Sequence, residues 1–224
     1  GTVAPASLTF TSGNWNVAQT VTVTGVNDFI DDGNIAYTIV TAAATSADLN
    51  YNGQDPANVS VSNTDNDAAG ITVNPTSGLV TTEAGGTAQF TGVLQSQPTA
   101  NVSIGLSSSD VTEGTVAPAS LTFTAGNWNV AQTVTVTGVN DFIDDGNVAY
   151  TIVNAAATSA DLNYNNQDPA NVAVSNSDND VAGITVSPVA GLVTTEAGGT
   201  TQFTVVLASQ PTANVGIGIS SADN

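Results

Sequence analysis

The side chains of this sequence that could do chemistry are carboxylates and little else. The 224 residues include 19 Asp and Glu but no Lys, Arg, His or Cys, so the formal net charge is −19. No side-chain ion pair can form, and every carboxylate therefore needs a hydrogen bond, water or a bound cation. Because protein zinc sites normally use Cys or His, this composition favours a hard cation that prefers oxygen ligands.

The same composition argues against catalysis. Without His, Cys or Lys, no side-chain base is present to activate a serine or threonine nucleophile. A pair of carboxylates, as in glycosidases, is the only acid–base apparatus left. Such pairs occur here only within the acidic segments that are candidates for metal binding. We therefore do not expect an enzyme.

The negative charge also limits the partners and the location. Its field disfavours nucleic acid and docking on anionic membranes. No apolar run approaches the roughly 20 residues that cross a bilayer, and no basic-then-apolar leader opens the chain. Since the chain has no cysteine and no trypsin site, we expect an extracellular or cell-surface protein whose anchor or export signal lies outside this stretch.

The whole sequence is one motif of about 113 residues read twice. Residues 1–67 recur almost letter for letter as 114–180, and residues 68–111 recur as 181–224. Tandem arrays of near-identical domains span distance or present equal surfaces, and they rarely build a single catalytic pocket. The register of the repeat predicts that the two ends cut through a longer periodic array.

Local patterning is typical of an all-β chain. Val, Thr, Ile and aromatic residues alternate with polar ones in short segments, and Gly, Pro, Asn and Asp clusters separate these segments. Strands are predicted near residues 70–74, 79–83, 87–94, 101–107, 120–124, 131–138, 147–154 and 171–177. About eight strands in about 110 residues predict an immunoglobulin-like antiparallel β-sandwich.

These strands define the expected domain organisation. Residues 68–180 would form one complete repeat, with residues 65–69 as the linker before it. Residues 1–67, the N-terminal half-repeat, would be the C-terminal half of a preceding domain. Residues 181–224, the C-terminal half-repeat, would be the N-terminal half of a following domain.

Four segments of the repeat carry a resemblance to a known family. They are residues 82–86 (TEAGG) before a Thr/Val strand, residues 120–123 (SLTF) before a turn and a TVTV strand, residues 140–146 (NDFIDDG), which we call the acidic turn, and residues 178–180 (DND). Together they resemble the Calx-beta domains and the related repeats of very large bacterial surface proteins. The resemblance implies a tandem Ca²⁺-binding sandwich.

The resemblance also implies a set of calcium ligands, carried over position by position. In the complete repeat these residues are Glu83, Asp110, Asp141, Asp144, Asp145, Asp178 and Asp180. The corresponding acids of the half-repeats are Asp28, Asp31, Asp32, Asp65, Asp67, Glu196 and Asp223. Ca²⁺ takes six to eight oxygen ligands, and carboxylates that converge without a cation repel one another. The alternative is that these acids are turn and cap residues on a solvated surface.

A second candidate is a loop with oxygen-bearing side chains at alternate positions. Its residues are Asp48, Asn50, Asn52 and Asp55, repeated as Asp161, Asn163, Asn165 and Asp168. The loop begins like an EF-hand-type loop, but Val59 stands where the closing Glu belongs. Asn166 replaces Gly53 in the second copy, and Asn tolerates the left-handed backbone conformation. A connecting loop tied by Asx hydrogen bonds is the favoured interpretation.

The sequence therefore predicts an extracellular structural repeat, a calcium-stiffened stalk or filament of a large bacterial surface or adhesion protein. The alternative is a glycan- or protein-binding Ig-like module of an adhesin, in which Trp15 and Trp128 could stack on a sugar ring. A Trp before a strand more often covers the edge of the core. We also expect neighbouring copies to join head to tail, as one polypeptide or as a polymer, with every junction alike.

Overall fold

A computed structural model describes residues 1–222, which form strands connected by turns and loops and contain no helix. Asp223, one of the candidate ligands, lies outside the described residues. The strands are β1 (Thr2–Ala4), β2 (Thr22–Thr24), β3 (Ile35–Ile39), β4 (Val59–Asn63), β5 (Ile71–Asn74), β6 (Leu79–Thr82), β7 (Thr87–Leu94), β8 (Val102–Ser108), β9 (Gly114–Ala117), β10 (Ser120–Phe123), β11 (Gln132–Gly138), β12 (Val148–Asn154), β13 (Thr158–Ser159), β14 (Val172–Ser177), β15 (Ile184–Ser187) and β16 (Thr204–Leu207). The all-β prediction is confirmed. Within residues 1–222, no helix has the length and hydropathy that crossing a bilayer requires.

Strands β5 to β14 build two sheets that face each other, and we call this unit the central sandwich. One sheet has the order β10-β8-β12-β14-β6, with the short β13 beside β8, and the other has the order β5-β7-β11-β9. All pairs are antiparallel except β14 and β6, which run parallel. The parallel pair is important for the site because it brings the ends of two distant strands to one edge.

The core lies between the two sheets and follows the period-2 pattern of the strands. In β11, Val134 and Val136 are fully buried, whereas Thr133 on the opposite face is exposed. Phe90 of β7 and Phe123 of β10 add aromatic rings to the same core. Burial of a Val or Phe side chain contributes about 1.5–3 kcal/mol. The alternation that predicted the strands is thus the alternation that builds the core.

The observed strands of the central sandwich lie within a residue or two of the predicted ones, but two were missed. β9 is a four-residue edge strand that pairs only with β11. β13 has two residues and pairs with β8. Neither segment has the length or alternation that local pattern can detect, and both depend on a neighbouring strand for their conformation.

The half-repeats contain fragments of the same sheets. β1 pairs with β2 and β3 pairs with β4 in the N-terminal half-repeat, and β15 pairs with β16 in the C-terminal one. These pairs correspond to β9–β11, β12–β14 and β5–β7 of the central sandwich, 113 residues away along the sequence. Each half-repeat therefore has local pairings but lacks the strands that would close its core.

Candidate metal centre

Three carboxylates meet where β6 and β14 end, and we call them the first carboxylate group. The parallel register pairs Thr82 with Ser177, so that Glu83 and Asp178 leave the sheet side by side. Asp180 follows two residues later. One oxygen from each of Glu83, Asp178 and Asp180 lies within 4.8 Å of the others.

The hydrogen bonds of the first carboxylate group leave one oxygen without a partner. Asp178 accepts hydrogen bonds from the backbone N–H groups of Asp180 (2.7 Å) and Gly146 (2.7 Å). Glu83, which is buried, accepts one from the N–H of Asn179 (3.0 Å). Oδ2 of Asp180 is buried and has no hydrogen-bond partner. A buried oxygen of this kind is costly unless something else coordinates it.

Two carboxylates of the first carboxylate group have pKa values shifted in opposite directions. Burial, together with the charges of Asp178, Asp141 and Asp180, raises the pKa of Glu83 despite the hydrogen bond from Asn179. The pKa of Asp178 is lowered by the hydrogen bonds from the backbone of Asp180 and Gly146. Asp178 is thus held in its ionised form beside Glu83, whose ionised form is disfavoured. A bound cation would stabilise the ionised form of Glu83.

A second carboxylate group consists of Glu113, Asp141 and Asp145, whose oxygens also lie within 4.8 Å of one another. Glu113 is buried immediately before β9 and accepts a hydrogen bond from the side chain of Asn176 (3.3 Å). Burial and neighbouring aspartates raise the pKa of both Glu113 and Asp145. Glu113 is absent from the predicted ligand set, although its position three residues after Asp110 in the mid-domain loop is a usable signal.

The two groups occupy the same end of the central sandwich. The acidic turn reverses at Gly146, whose φ of 75° is a left-handed conformation that Gly adopts without strain. Its N–H bonds to Asp178, and the side chain of Asn179 donates to the side chain of Asn140 (3.1 Å). The acidic turn of the second group is therefore tied directly to the closing segment 178–180 of the first.

Two predicted ligands of the complete repeat lie outside both groups. Oδ1 of Asp110 accepts hydrogen bonds from the backbone and hydroxyl of Thr112, which lower the pKa of Asp110. Oδ2 of Asp144 accepts a hydrogen bond from the backbone N–H of Ala182 (2.7 Å), beyond the closing segment. Asp110 thus stabilises its own loop, whereas Asp144 contacts the start of the next repeat.

The N-terminal half-repeat reproduces part of this arrangement. Asp65 accepts hydrogen bonds from the N–H groups of Asp67 (2.9 Å), Gly33 (2.7 Å) and Asp32 (3.0 Å), which lower its pKa. Burial and the charges of Asp65, Asp28, Asp31 and Asp32 raise the pKa of Asp67. Glu196 of the C-terminal half-repeat is exposed. Each half-repeat thus holds only some members of the carboxylate groups.

The EF-hand-like loop is held by hydrogen bonds to protein. The two carboxylate oxygens of Asp161 accept from the N–H groups of Asn163 (3.0 Å) and Thr99 (2.8 Å). The side-chain oxygen of Asn165 accepts from the N–H of Ser159 (3.2 Å). Asn166 adopts a φ of 65°, close to the 81° of Gly53 in the first copy, so the turn does tolerate the substitution. Among the described residues, neither copy of the loop belongs to a carboxylate group.

The loop in the first copy, residues 48–55, repeats this pattern. The N–H of Asn50 donates to Oδ1 of Asp48 (2.9 Å), and the N–H of Ser46 donates to the side chain of Asn52 (3.1 Å). Asp55 and Asp168 are exposed at the ends of the two loops. These contacts are the Asx hydrogen bonds of a connecting loop.

The acidic turn and its counterpart in the N-terminal half-repeat, residues 27–33, also make the contacts between successive repeats. The backbone carbonyl of Phe29 accepts from the N–H of Gln97 (2.6 Å), and its ring lies 5.8 Å from that of Trp128. Oδ2 of Asp31 accepts from the N–H of Ala69 (2.8 Å).

One repeat later the two hydrogen bonds recur. The carbonyl of Phe142 accepts from the N–H of Gln210 (2.6 Å), and Asp144 accepts from Ala182. Each of these residues lies 113 positions after its counterpart in the first junction. The two junctions therefore share one backbone hydrogen bond and one hydrogen bond to an aspartate side chain.

No family model matches this sequence. No curated protein sequence matches it either. Among solved structures, the chain is similar to the apo form of the Calx CBD1 domain, at 14% identity and a TM-score of 0.38, over 49% of this chain and 96% of that one. It is also similar to domains 4 and 5 of the S-layer protein SbsC, at 14% identity and a TM-score of 0.30, over 66% of this chain and 72% of that one.

Proposed function

We propose that this chain is an extracellular spacer, a stretch of tandem β-sandwich repeats whose junctions are stiffened by bound Ca²⁺. The observation that carries the proposal is the first carboxylate group, in which a buried oxygen of Asp180 has no hydrogen-bond partner beside Glu83 and Asp178. No cationic side chain exists anywhere in the sequence to neutralise these acids.

The donor set fits calcium better than other common metals. All candidate donors are oxygens, which excludes the nitrogen and sulfur ligands that zinc prefers. Mg²⁺ requires near-ideal octahedral geometry, whereas Ca²⁺ accepts an irregular set of carboxylates and carbonyls. Glu83, Asp178 and Asp180 would hold one ion, and Glu113, Asp141 and Asp145 would hold another.

Ion binding would stiffen the chain because both groups contain segments that contact the next repeat. An ion at the first carboxylate group would fix residues 178–180, which lead into the next repeat, to the loop after β6. An ion at the second group would fix the acidic turn, whose Phe142 and Asp144 contact Gln210 and Ala182. Calcium binding would therefore restrict the motion of both segments at the junction between the repeats.

Calcium titration with matched variants tests this proposal. We expect millimolar Ca²⁺ to raise the melting temperature, because an ion that binds only the folded state stabilises it by about 2.7 kcal/mol at a hundredfold excess over Kd. Calorimetric titration should show weaker binding for Glu83→Gln and Asp141→Asn. Asp168→Asn removes the same charge from an exposed position outside both groups and serves as the control.

Two results would contradict the proposal. One is an identical melting temperature in EDTA and in millimolar Ca²⁺. The other is a calcium titration that Glu83→Gln and Asp141→Asn change no more than Asp168→Asn does. The calcium-free melting temperature of the two variants should be no lower than that of the unmodified chain, since neither removes a buried apolar group and Glu83→Gln removes a charge that burial disfavours.

A cell-surface location and membership of a large bacterial adhesion protein belong to the same proposal. A cysteine-free, strongly acidic tandem array suits a chain that spans distance outside the cell. Trp128 packs against the core and against Phe29, so its ring is already used within the fold. Trp128 therefore gives no support to the glycan-binding alternative.

A further inference from the structure

We propose that the two half-repeats are complementary, so that the C-terminal half-repeat of one copy of this 224-residue stretch binds the N-terminal half-repeat of the next copy and completes a sandwich at the join. The central sandwich supplies the template, because its two halves have nearly the same sequences as the two half-repeats. Its residues 68–111 correspond to the C-terminal half-repeat, and its residues 114–180 correspond to the N-terminal one.

The half-repeats expose the apolar faces that the central sandwich buries. Phe10 of the N-terminal half-repeat is 55% exposed, whereas its counterpart Phe123 is fully buried. Phe203 of the C-terminal half-repeat is 45% exposed, and its counterpart Phe90 is 1% exposed. These faces are the two inner surfaces of one core, separated onto opposite ends of the chain.

A cavity of about 540 Å³ in the N-terminal half-repeat is lined by Gly25, Tyr37, Asn63 and Asp65, among others. In the central sandwich the counterparts of these residues surround the segment 81–86. There, Thr81 bonds to the Tyr150 hydroxyl (3.0 Å), and the N–H of Gly138 donates to the carbonyl of Gly86 (3.0 Å). The cavity therefore has the polar groups that bind residues 81–86 in the central sandwich, and its expected occupant is their copy, residues 194–199.

Residues 194–199 already have the conformation that this insertion requires. The N–H of Gly198 donates to the carbonyl of Thr195 (2.9 Å), and the N–H of Gly199 donates to the Thr195 hydroxyl (3.0 Å). The same two bonds, at 3.0 and 3.1 Å, hold the turn after Thr82 in the central sandwich. Because the turn is preformed, little ordering entropy opposes its binding.

A second cavity, of about 450 Å³, lies between the acidic turn and the C-terminal half-repeat and is lined by residues that include Asp144, Ala182, Ser209 and Thr212. At the preceding junction, the counterparts of these four residues all bond to the loop 161–167. Tyr164 bonds to Ser96, Asp161 accepts from Thr99, Asn163 donates to the carbonyl of Asp31, and Gln167 donates to that of Ala69. The occupant of the second cavity is therefore the copy of this loop, residues 48–54.

The loop 48–54 is preformed and exposed. Tyr51 is 63% exposed, whereas its counterpart Tyr164 is 1% exposed. The internal bonds from Asn50 to Asp48 and from Ser46 to Asn52 match those of the second copy. Both cavities and the two segments expected to occupy them would thus meet in one interface between complementary half-repeats.

The join would also complete two further contacts. Phe142 and Trp15 are 65% and 70% exposed, and they are the counterparts of the Phe29–Trp128 ring pair. Glu196 of one copy would meet Asp65 and Asp67 of the other, as Glu83 meets Asp178 and Asp180. The members of the first carboxylate group are thus divided between the two half-repeats, and the join would bring them together.

The half-repeats of one chain cannot complete each other because they lie at opposite ends of the central sandwich. Gln97, which contacts the N-terminal half-repeat, lies three residues after the end of β7 at Leu94. Thr87, at the start of β7, pairs with Thr137 near the acidic turn. The eight residues of β7 separate the two ends by roughly 25 Å. Head-to-tail contacts of this kind propagate and do not close.

Single charged substitutions in each half-repeat test the assembly. In millimolar Ca²⁺, sedimentation velocity of the unmodified chain should show polymers that grow with concentration. Phe10→Asp and Phe203→Asp should each sediment as a monomer. An equimolar mixture should give a species of twice the monomer mass, because the intact C-terminal half-repeat of the first variant meets the intact N-terminal half-repeat of the second.

Neighbouring substitutions provide the controls. Thr9→Asp and Gln202→Asp add the same charge to residues whose counterparts, Thr122 and Gln89, are exposed in the central sandwich. They should polymerise like the unmodified chain, and an unchanged far-ultraviolet circular dichroism melt should show the central sandwich intact in all variants. A monomeric unmodified chain, a mixture that stays monomeric, or equal effects of Phe10→Asp and Thr9→Asp would each overturn the proposal.

Discussion

The substitution Tyr164→Phe should destabilise the central sandwich by removing one hydroxyl group. Tyr164 is 1% exposed, and its hydroxyl donates to the carbonyl of Ser96 (2.6 Å) and accepts from the N–H of Ser96 (3.0 Å). It also bonds to the Ser96 hydroxyl (2.8 Å). Ser96 is itself fully buried, so the substitution leaves its polar groups without a partner and without water.

The expected loss is about 2 kcal/mol in the free energy of unfolding, since one unsatisfied buried polar group costs about 1–3 kcal/mol. For a domain of this size that corresponds to a melting temperature lower by roughly 8 °C. Urea unfolding followed by tryptophan fluorescence, at a concentration too low for assembly, measures the change directly.

Tyr51→Phe is the matched control, because it makes the same substitution at the same position of the other copy. Tyr51 is 63% exposed, so its hydroxyl loses only solvent contact, and the expected change is below about 0.5 kcal/mol. Equal unfolding free energies for Tyr164→Phe and Tyr51→Phe would show that the contact with Ser96 does not hold the loop, and would refute this reasoning.

Two further predictions concern the acidic end and the junction. Burial raises the pKa of Glu83 and Glu113, so the folded state binds protons more tightly than the unfolded state. In EDTA the resulting stability is fully present below the unfolded-state pKa and is lost as pH rises through the folded-state pKa. The melting temperature in EDTA should therefore increase as pH falls from about 7 to about 5, and a decrease over that range would contradict the assignment. At the junction, Phe29→Ala removes the ring contact with Trp128, which should lower the free energy of unfolding by about 1 kcal/mol and shift the fluorescence emission of Trp128 to longer wavelength. Phe142→Ala should leave the fluorescence emission of the monomer unchanged. Equal emission spectra for the two variants would rule out the Phe29–Trp128 contact.

Local pattern was sufficient to predict the strands, because alternation in segments such as 132–138 reports which side chains face the core. The comparison of the two copies also indicated that Asn166 can replace Gly53 in a left-handed turn, and both residues do have positive φ. The short strands β9 and β13 escaped prediction because they have too few residues for a pattern and are formed by pairing with a neighbour.

The sequence was sufficient to name most of the acidic residues of the candidate site, but not to predict which of them lie close together. Glu83 and Asp178 come together through the parallel pairing of β6 with β14, a register that no local pattern reveals. Glu113 joins Asp141 and Asp145 because Asn176 and the start of β9 place it there. Asp144 belongs to the same acidic turn, yet the path of the chain after residue 180 directs it to Ala182. Each outcome depends on contacts between distant segments.

Hydrogen exchange of the backbone amides at the acidic end tests the central claim most directly. The N–H groups of Gly146, Asn179 and Ala182 all donate to carboxylates of this region. With calcium at a hundredfold excess over Kd, these amides should exchange about a hundredfold more slowly than in EDTA, because their opening would require loss of the ion. Equal exchange rates of these amides in calcium and in EDTA would contradict a calcium-stiffened junction.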